Sequence, residues 1–247
     1  LVMEVLRTSE ARWKERLKGI LARMGEVPEG VDQAVRGIIE AVASRGDRAL
    51  AEYTRQFDRY DPEAEGFFVT ADEMAEGASR VDREILRALE GAALRIEAFH
   101  SHQKERSWIV TGDDGMILGQ KVTPLDRAGV YIPGGRNAFP STLLMNVIPA
   151  KIAGVGEIVV VSPTPNGALN DTLLAAGHIA GIDRLYRIGG AQAVAALACG
   201  TQTIPAADKI VGPGNIYVAH AKRLVQDRVG IDAFAGPSEI LVVADRG

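Results

Sequence analysis

Four short stretches carry residues that could do chemistry: "YIPGGRN" at 131–137, "RIGGAQA" at 187–193, "VGPGNIY" at 211–217 and "FAGPSE" at 234–239. The first three follow apolar strand patterns and precede helical ones. Each is therefore expected to be a turn at the carboxyl end of a strand. Glycine lets a backbone approach a ligand closely and tolerates positive φ. The helix starts that follow offer N–H groups without helical partners and a positive dipole end, which suits anions. Gln192 and Asn215 sit in or beside the first turn of their helices, with amides that both donate and accept. Tyr131 stands just ahead of its turn and offers an aromatic face. Any α/β protein needs glycine at such corners. Three of them, each with a polar or aromatic side chain alongside, point to a cleft for a phosphate-bearing or dinucleotide ligand. In the fourth stretch Ser238 is the most suggestive hydroxyl. Its plainer reading is a turn serine ahead of a strand. Glu239 fits a local cap or pair.

Other chemistries find no footing. The chain has neither the G-x-G-x-x-G fingerprint nor a P-loop. It has no H-E-x-x-H or Cys/His cluster for a metal and no G-x-S-x-G nucleophile turn. The one cysteine, Cys199, lies in "AALACGT" and is expected to be a small buried thiol. A single cysteine leaves no disulfide framework or Cys-based zinc site within one chain. His100 and His102 are two apart, so on a helix they do not share a face. His178 and His220 fall inside helical patterns, away from the glycine turns, and read as solvated or core histidines.

The elements that must hold these turns are legible from periodicity. Trp13, Leu17, Ile20, Leu21 and Met24 form one helical face behind a Thr8/Ser9 cap signal. Val31, Val35, Ile38, Ile39 and Val42 form a second, and Leu50, Tyr53 and Phe57 a third. Between those two, Arg45-Gly46-Asp47 reads as a helix break followed by a cap. A long helical stretch runs from about Asp72 to Gln103, with a break near Ser79. From Trp108 the period changes to two strands around Asp113-Asp114-Gly115, a hairpin signal. Strands "AGVYI", "EIVVVSP", "RLYRI" and "DKIVG" then alternate with helices, and "EILVVAD" closes the chain as one more strand. These strands lack alternating polarity, which indicates a parallel sheet covered on both faces.

The bulk properties agree. The 247 residues are 47% hydrophobic and 24% charged, with a net charge of −4. That is the balance of a globular chain with a sizeable core, without the basic footprint of a nucleic-acid binder. No run reaches the roughly 18 apolar residues of a membrane span. The charged, amphipathic start lacks the apolar segment of a signal peptide, so a reducing, cytoplasmic setting is expected. The chain begins at Leu1 and stops at Gly247, and both ends read as cut.

Taken together and in order, "AGVYIPGGR", "VIPAKIAGV", "RIGGAQAVAALACGT", "DKIVGPGNIYVAHAKR" and "GIDAFAGPSEILVVAD" resemble histidinol dehydrogenase along essentially the whole chain. The resemblance implies a zinc-dependent, NAD-linked enzyme, normally a homodimer, that oxidises L-histidinol to L-histidinal and then to L-histidine, the last steps of histidine biosynthesis. Carried over by motif, its NAD contacts fall on Tyr131, Gln192 and Asn215, and a substrate contact on Ser238. Its zinc ligands (Zn2+ is held by a Gln-x-x-His segment, an Asp and a late His) and its adjacent Glu-His acid–base pair are expected beyond Gly247. On that basis this chain carries the cofactor half and is inactive alone. A relative acting on another alcohol, such as a sulfonated diol, and a non-catalytic nucleotide-binding module are the alternatives.

The expected architecture is α/β: a helical N-terminal region followed by a Rossmann-like parallel sheet with helices on both faces. The expected divisions are 1–123, a helical region with a β-hairpin that forms part of a first α/β domain; 124–235, the NAD-binding domain; and 236–247, the first strand of the returning first domain.

Overall fold

The computed structural model describes residues 7–21, 29–134 and 138–233. Helices α1 (Trp13–Leu21), α2 (Glu29–Arg45), α3 (Asp47–Asp58) and α4 (Pro62–Glu65) lead to a short strand, β1 (Phe68–Thr70). Helices α5 (Ala71–Ser79) and α6 (Arg83–Ser101) follow, then the hairpin β2 (Trp108–Thr111) and β3 (Ile117–Gln120). The second half alternates: β4 (Arg127–Tyr131), α7 (Pro140–Ala153), β5 (Glu157–Val161), α8 (Asp171–Ala180), β6 (Arg184–Tyr186), α9 (Gly190–Cys199), β7 (Lys209–Val211), α10 (Ile216–Leu224) and β8 (Gly230–Ile231).

Local signals explain most boundaries. Thr70 and Glu73 form a reciprocal capping box that starts α5. Asp82 caps α6 by accepting from the Glu84 N–H at 2.7 Å, which is why the long helical stretch breaks after Ser79. The break at Arg45-Gly46-Asp47 is present, but Asp47 is not the cap. Gly46 occupies that position with φ +56° and no side-chain bond. Asp47 instead accepts from the Thr203 hydroxyl at 2.5 Å, tying α3 to the loop after α9. Thr8 and Ser9 lie in turns ahead of α1 rather than at its first residue. Met24 and the "EILVVAD" segment lie outside the described residues.

The main sheet runs β1-β6-β5-β4-β7-β8. Every pair is parallel except β1–β6, where Val69 lies opposite Leu185. From β4 the chain steps outward to β5 and β6, then returns to the other side of β4 for β7 and β8. This is the doubly wound order of a Rossmann-like sheet, with its switch point between β4 and β7. Antiparallel β1 was not expected from the sequence; three residues give too little alternation to register.

Alternate strand residues serve two cores. Tyr131, Val159, Val161, Tyr186 and Ile210 face a cluster with α2, α3, α9 and α10. Val130, Val160, Leu185 and Val69 face another with α5, α7 and α8. Helix α2 packs on α9 and α10, and α5 packs on α8. The N-terminal helices thus cover the same sheet that the second half builds. A bidentate Arg80–Asp171 contact reinforces the α5–α8 seam. By contrast, α6 has no fully buried residue, and the β2–β3 hairpin is exposed on both faces.

At the switch point the backbones of β4 and the loop after β7 nearly touch. Gly212 has φ +108°, and a Cβ there would lie 2.1 Å from the Tyr131 carbonyl oxygen. The loop is stapled from behind: buried Lys222 donates to the Gly212 carbonyl at 3.0 Å and pairs with Asp232, which accepts from the Gly212 N–H at 2.8 Å. Burial pushes the Asp232 carboxyl up, but the bonds from Lys222, Ala233 and Gly212 outweigh it and hold the group below its ordinary value.

Two outcomes follow from this corner. Gly212→Ala should destabilise the chain by on the order of 3 kcal/mol in urea unfolding, because both the φ and the contact forbid a side chain. Asp232→Asn should flatten the acid limb of the stability–pH curve. A carboxyl lowered in the folded state contributes stability above its unfolded value of about 3.9, lost as pH falls through the folded one. Thermal melts between pH 3 and 7 measure the difference.

Candidate functional site

A cavity of about 690 Å³ opens at this switch point, within the range of small-molecule sites. Its walls come from the β4 end (Tyr131, Pro133), the segment after β5 (Pro163, Pro165) and the first turn of α9 (Gly190, Gln192). The start of α10 (Asn215, Tyr217), the end of α3 (Phe57, Asp58) and α2 (Ala34, Ile38) also line it. The three residues expected to meet a cofactor, Tyr131, Gln192 and Asn215, therefore line one cavity. Ser238 lies outside the described residues, as do Gly135 and Arg136 of the first turn.

Each of the three has a distinct setting. Tyr131 is 3% exposed, so its ring forms wall rather than open platform. Its hydroxyl accepts from the Gly190 N–H at 3.0 Å, locking the β4 end to the first residue of α9. Burial, helped by nearby Asp58, pushes the phenol up to about 12, so it stays protonated. Gln192 is 1% exposed, and its Oε1 has no hydrogen-bond partner among the described residues. A buried acceptor left open is costly, so this atom is suited to a ligand donor. Asn215 caps α10: its Oδ1 accepts from the N–H groups of Tyr217 and Val218 at 3.0 and 3.1 Å. Its carboxamide oxygen is thus committed to the cap, and the NH2 is the half with donors to give.

Sequence reasoning overlooked the α3 contribution. Phe57 was expected on the apolar face with Leu50 and Tyr53. Leu50 is fully buried, but Phe57 is 53% exposed at the cavity wall, stacked on Tyr53 with centroids 5.9 Å apart. Asp58 was not singled out at all. It is a buried carboxylate that accepts from the Thr164 N–H at 3.2 Å, and burial, only partly offset by that bond, raises its pKa from the ordinary value. No local signal in "RQFDRY" marks this, because its partner is a hundred residues away.

The histidines stay out of the cavity. His220 is buried against Asp32, with Nε2 and Oδ1 2.7 Å apart. His178 and His102 are exposed, and His100 bonds Gln103 at 2.6 Å. Cys199 is half-buried rather than fully buried, and its sulfur accepts from the Arg228 guanidinium at 3.1 Å. Among the described residues no group of three His, Cys, Asp or Glu is placed to hold a metal, and no helix is long and apolar enough to cross a membrane.

The comparisons with known proteins agree with one another. The family model described as histidinol dehydrogenase matches residues 21–247. The histidinol dehydrogenase of Syntrophotalea carbinolica is 52% identical over 99% of this chain and 57% of its own length. That of Geobacter metallireducens is 50% identical over 98% of this chain and 56% of its own. The crystal structure of histidinol dehydrogenase from Elizabethkingia anophelis superposes with a TM-score of 0.82 at 36% identity, covering 91% of this chain and 52% of that one. The chain spans about half the length of the relatives it matches. With the family model covering nearly all of it, and half of its residues shared along almost its whole length with two members, this chain belongs to the histidinol dehydrogenase family.

Proposed function

We propose that this chain is the NAD-binding half of a histidinol dehydrogenase. The whole protein would oxidise L-histidinol through L-histidinal to L-histidine, reducing two NAD+, as a homodimer in the cytoplasm. One observation carries the cofactor assignment. Tyr131, Gln192 and Asn215, from three separate glycine turns, meet in one cavity at the switch point, with the Gln192 acceptor open.

NAD+, when bound, supplies the acceptor for hydride leaving the alcohol carbon. What this chain contributes is binding and orientation. Gln192 Oε1 takes a donor from the ligand. The Tyr131 hydroxyl fixes the α9 terminus by holding the Gly190 N–H. The Asn215 cap fixes the α10 terminus and leaves an amide donor beside it. Phe57 and the prolines 133, 163 and 165 shield the ligand from water. Zinc, which the sequence resemblance implies, has no ligand set among the described residues.

Isothermal titration of the chain with NAD+ tests the cavity. Gln192→Ala should weaken binding about tenfold, the effect of losing one buried hydrogen bond to a ligand. Binding left unchanged by both Gln192→Ala and Asn215→Ala would move the cofactor elsewhere. For the reaction, the whole protein should release two NADH per histidinol with zinc present. A panel that includes a sulfonated diol asks which alcohol it prefers. Turnover of the diol with none of histidinol would overturn the substrate.

A further inference from the structure

Asp58 is the one carboxylate among the described residues that line this cavity. It is 8% exposed and has no cationic partner among the ion pairs of the described residues. Among the described residues its one recorded hydrogen bond is from the Thr164 N–H, to Oδ2. A buried carboxylate with most of its acceptor capacity unused is costly, and ligand donors would relieve that cost. Among the described residues the hydroxyl of Thr164, which holds Asp58 through its N–H, is buried without a partner, as is Gln192 Oε1 in the same cavity wall as Asp58. The Thr164 bond thus holds the Asp58 carboxylate just beyond the end of β5, on the side of β4 away from β7.

That position has a meaning in doubly wound sheets. The acid that takes the ribose hydroxyls of an NAD adenosine stands near the end of the second strand of the first βαβ unit. Here that strand is β5, and it ends in Ser162-Pro163-Thr164-Pro165, with no acid. Asp58 reaches the place from outside the sheet, delivered by the last residue of α3 and held by Thr164. Arg187, the residue after β6, is turned to Tyr60, with Nη1 donating to the phenol at 2.9 Å and the guanidinium lying over the ring.

We propose that Asp58 accepts the hydroxyls of the adenosine ribose and makes the site select NAD over NADP, whose 2′-phosphate would meet its carboxylate. This rests on the cavity being the NAD site. It assigns the adenosine end to the β5 side and gives the N-terminal helical segment a direct part in cofactor choice.

Titration of the chain with NAD+, NADP+ and the 2′-deoxyadenosine analogue of NAD+ tests it. Wild type should bind NADP+ at least about a hundredfold more weakly than NAD+. The deoxy analogue should bind about tenfold more weakly, having lost a hydrogen bond to a charged acceptor. Asp58→Asn keeps an acceptor for Thr164 and should narrow the NAD+/NADP+ ratio by about tenfold or more. An unchanged ratio in that variant, or a deoxy analogue that binds wild type as well as NAD+ does, overturns the role of Asp58. If NAD+ is still weakened by Gln192→Ala, the cavity assignment survives that failure. The deoxy arm needs no variant, so it decides the matter even if Asp58→Asn does not fold. A wild type that binds no NAD+ overturns both assignments.

Discussion

The close approach of Gly212 to the Tyr131 backbone, which leaves no room for a Cβ, sets the geometry of everything around it. Two parallel strands that diverge at a switch point normally leave a crevice between their ends. Here the crevice is closed at its base, because any side chain at residue 212 would collide with the β4 backbone. The three turns are consequently coupled through one residue. Tyr131 touches the "GPGN" loop with its carbonyl and holds the α9 terminus with its hydroxyl, while its strand pairs with both β5 and β7. Lys222 and Asp232 secure the same loop from the opposite side. The cavity is preorganised by backbone proximity more than by any large side chain.

Much of this was legible in the sequence, for identifiable reasons. The glycine turns show because glycine is chosen where backbones approach. The parallel sheet shows because strands buried on both faces, such as "EIVVV", have no polar alternation. The hairpin shows because Asp-Gly between apolar runs has few other uses. What was hidden depends on distant partners. Asp47 looks like a helix cap and instead bonds Thr203. Phe57 has the spacing of a core residue and instead forms the cavity wall. Asp58 looks like any charge at the end of a helix until Thr164 is placed beside it. Local pattern constrains the element; it does not report which face meets a chain segment a hundred residues away.

The two cores differ in what lies outside them. On one face α2 and α3 complete the cover over α9 and α10. On the other, α6 packs on α7 and α8 yet buries no residue fully, and Leu94 and Phe99 remain 67% and 63% exposed. The β2–β3 hairpin repeats this, with Ile109 and Ile117 at 73% and 69%. Among the described residues, α6 and the hairpin thus carry much of the exposed apolar surface, and Phe57 and Tyr217 add some at the cavity wall.

Strand β1 carries a consequence for how the molecule is made. Its partner, β6, lies more than a hundred residues later, from Phe68 to Tyr186. During synthesis, β1 and the helices around it emerge first but have no surface to dock on. Chains grow at roughly 5–20 residues per second, so the wait for β6 lasts on the order of ten seconds. Over that interval α2 and α5 must keep their apolar faces without α9, α10 and α8, which will later cover them. The order of assembly therefore runs against the order of the sequence. The later βα units can collapse through contacts between neighbours, and the earliest residues are the last to be locked in.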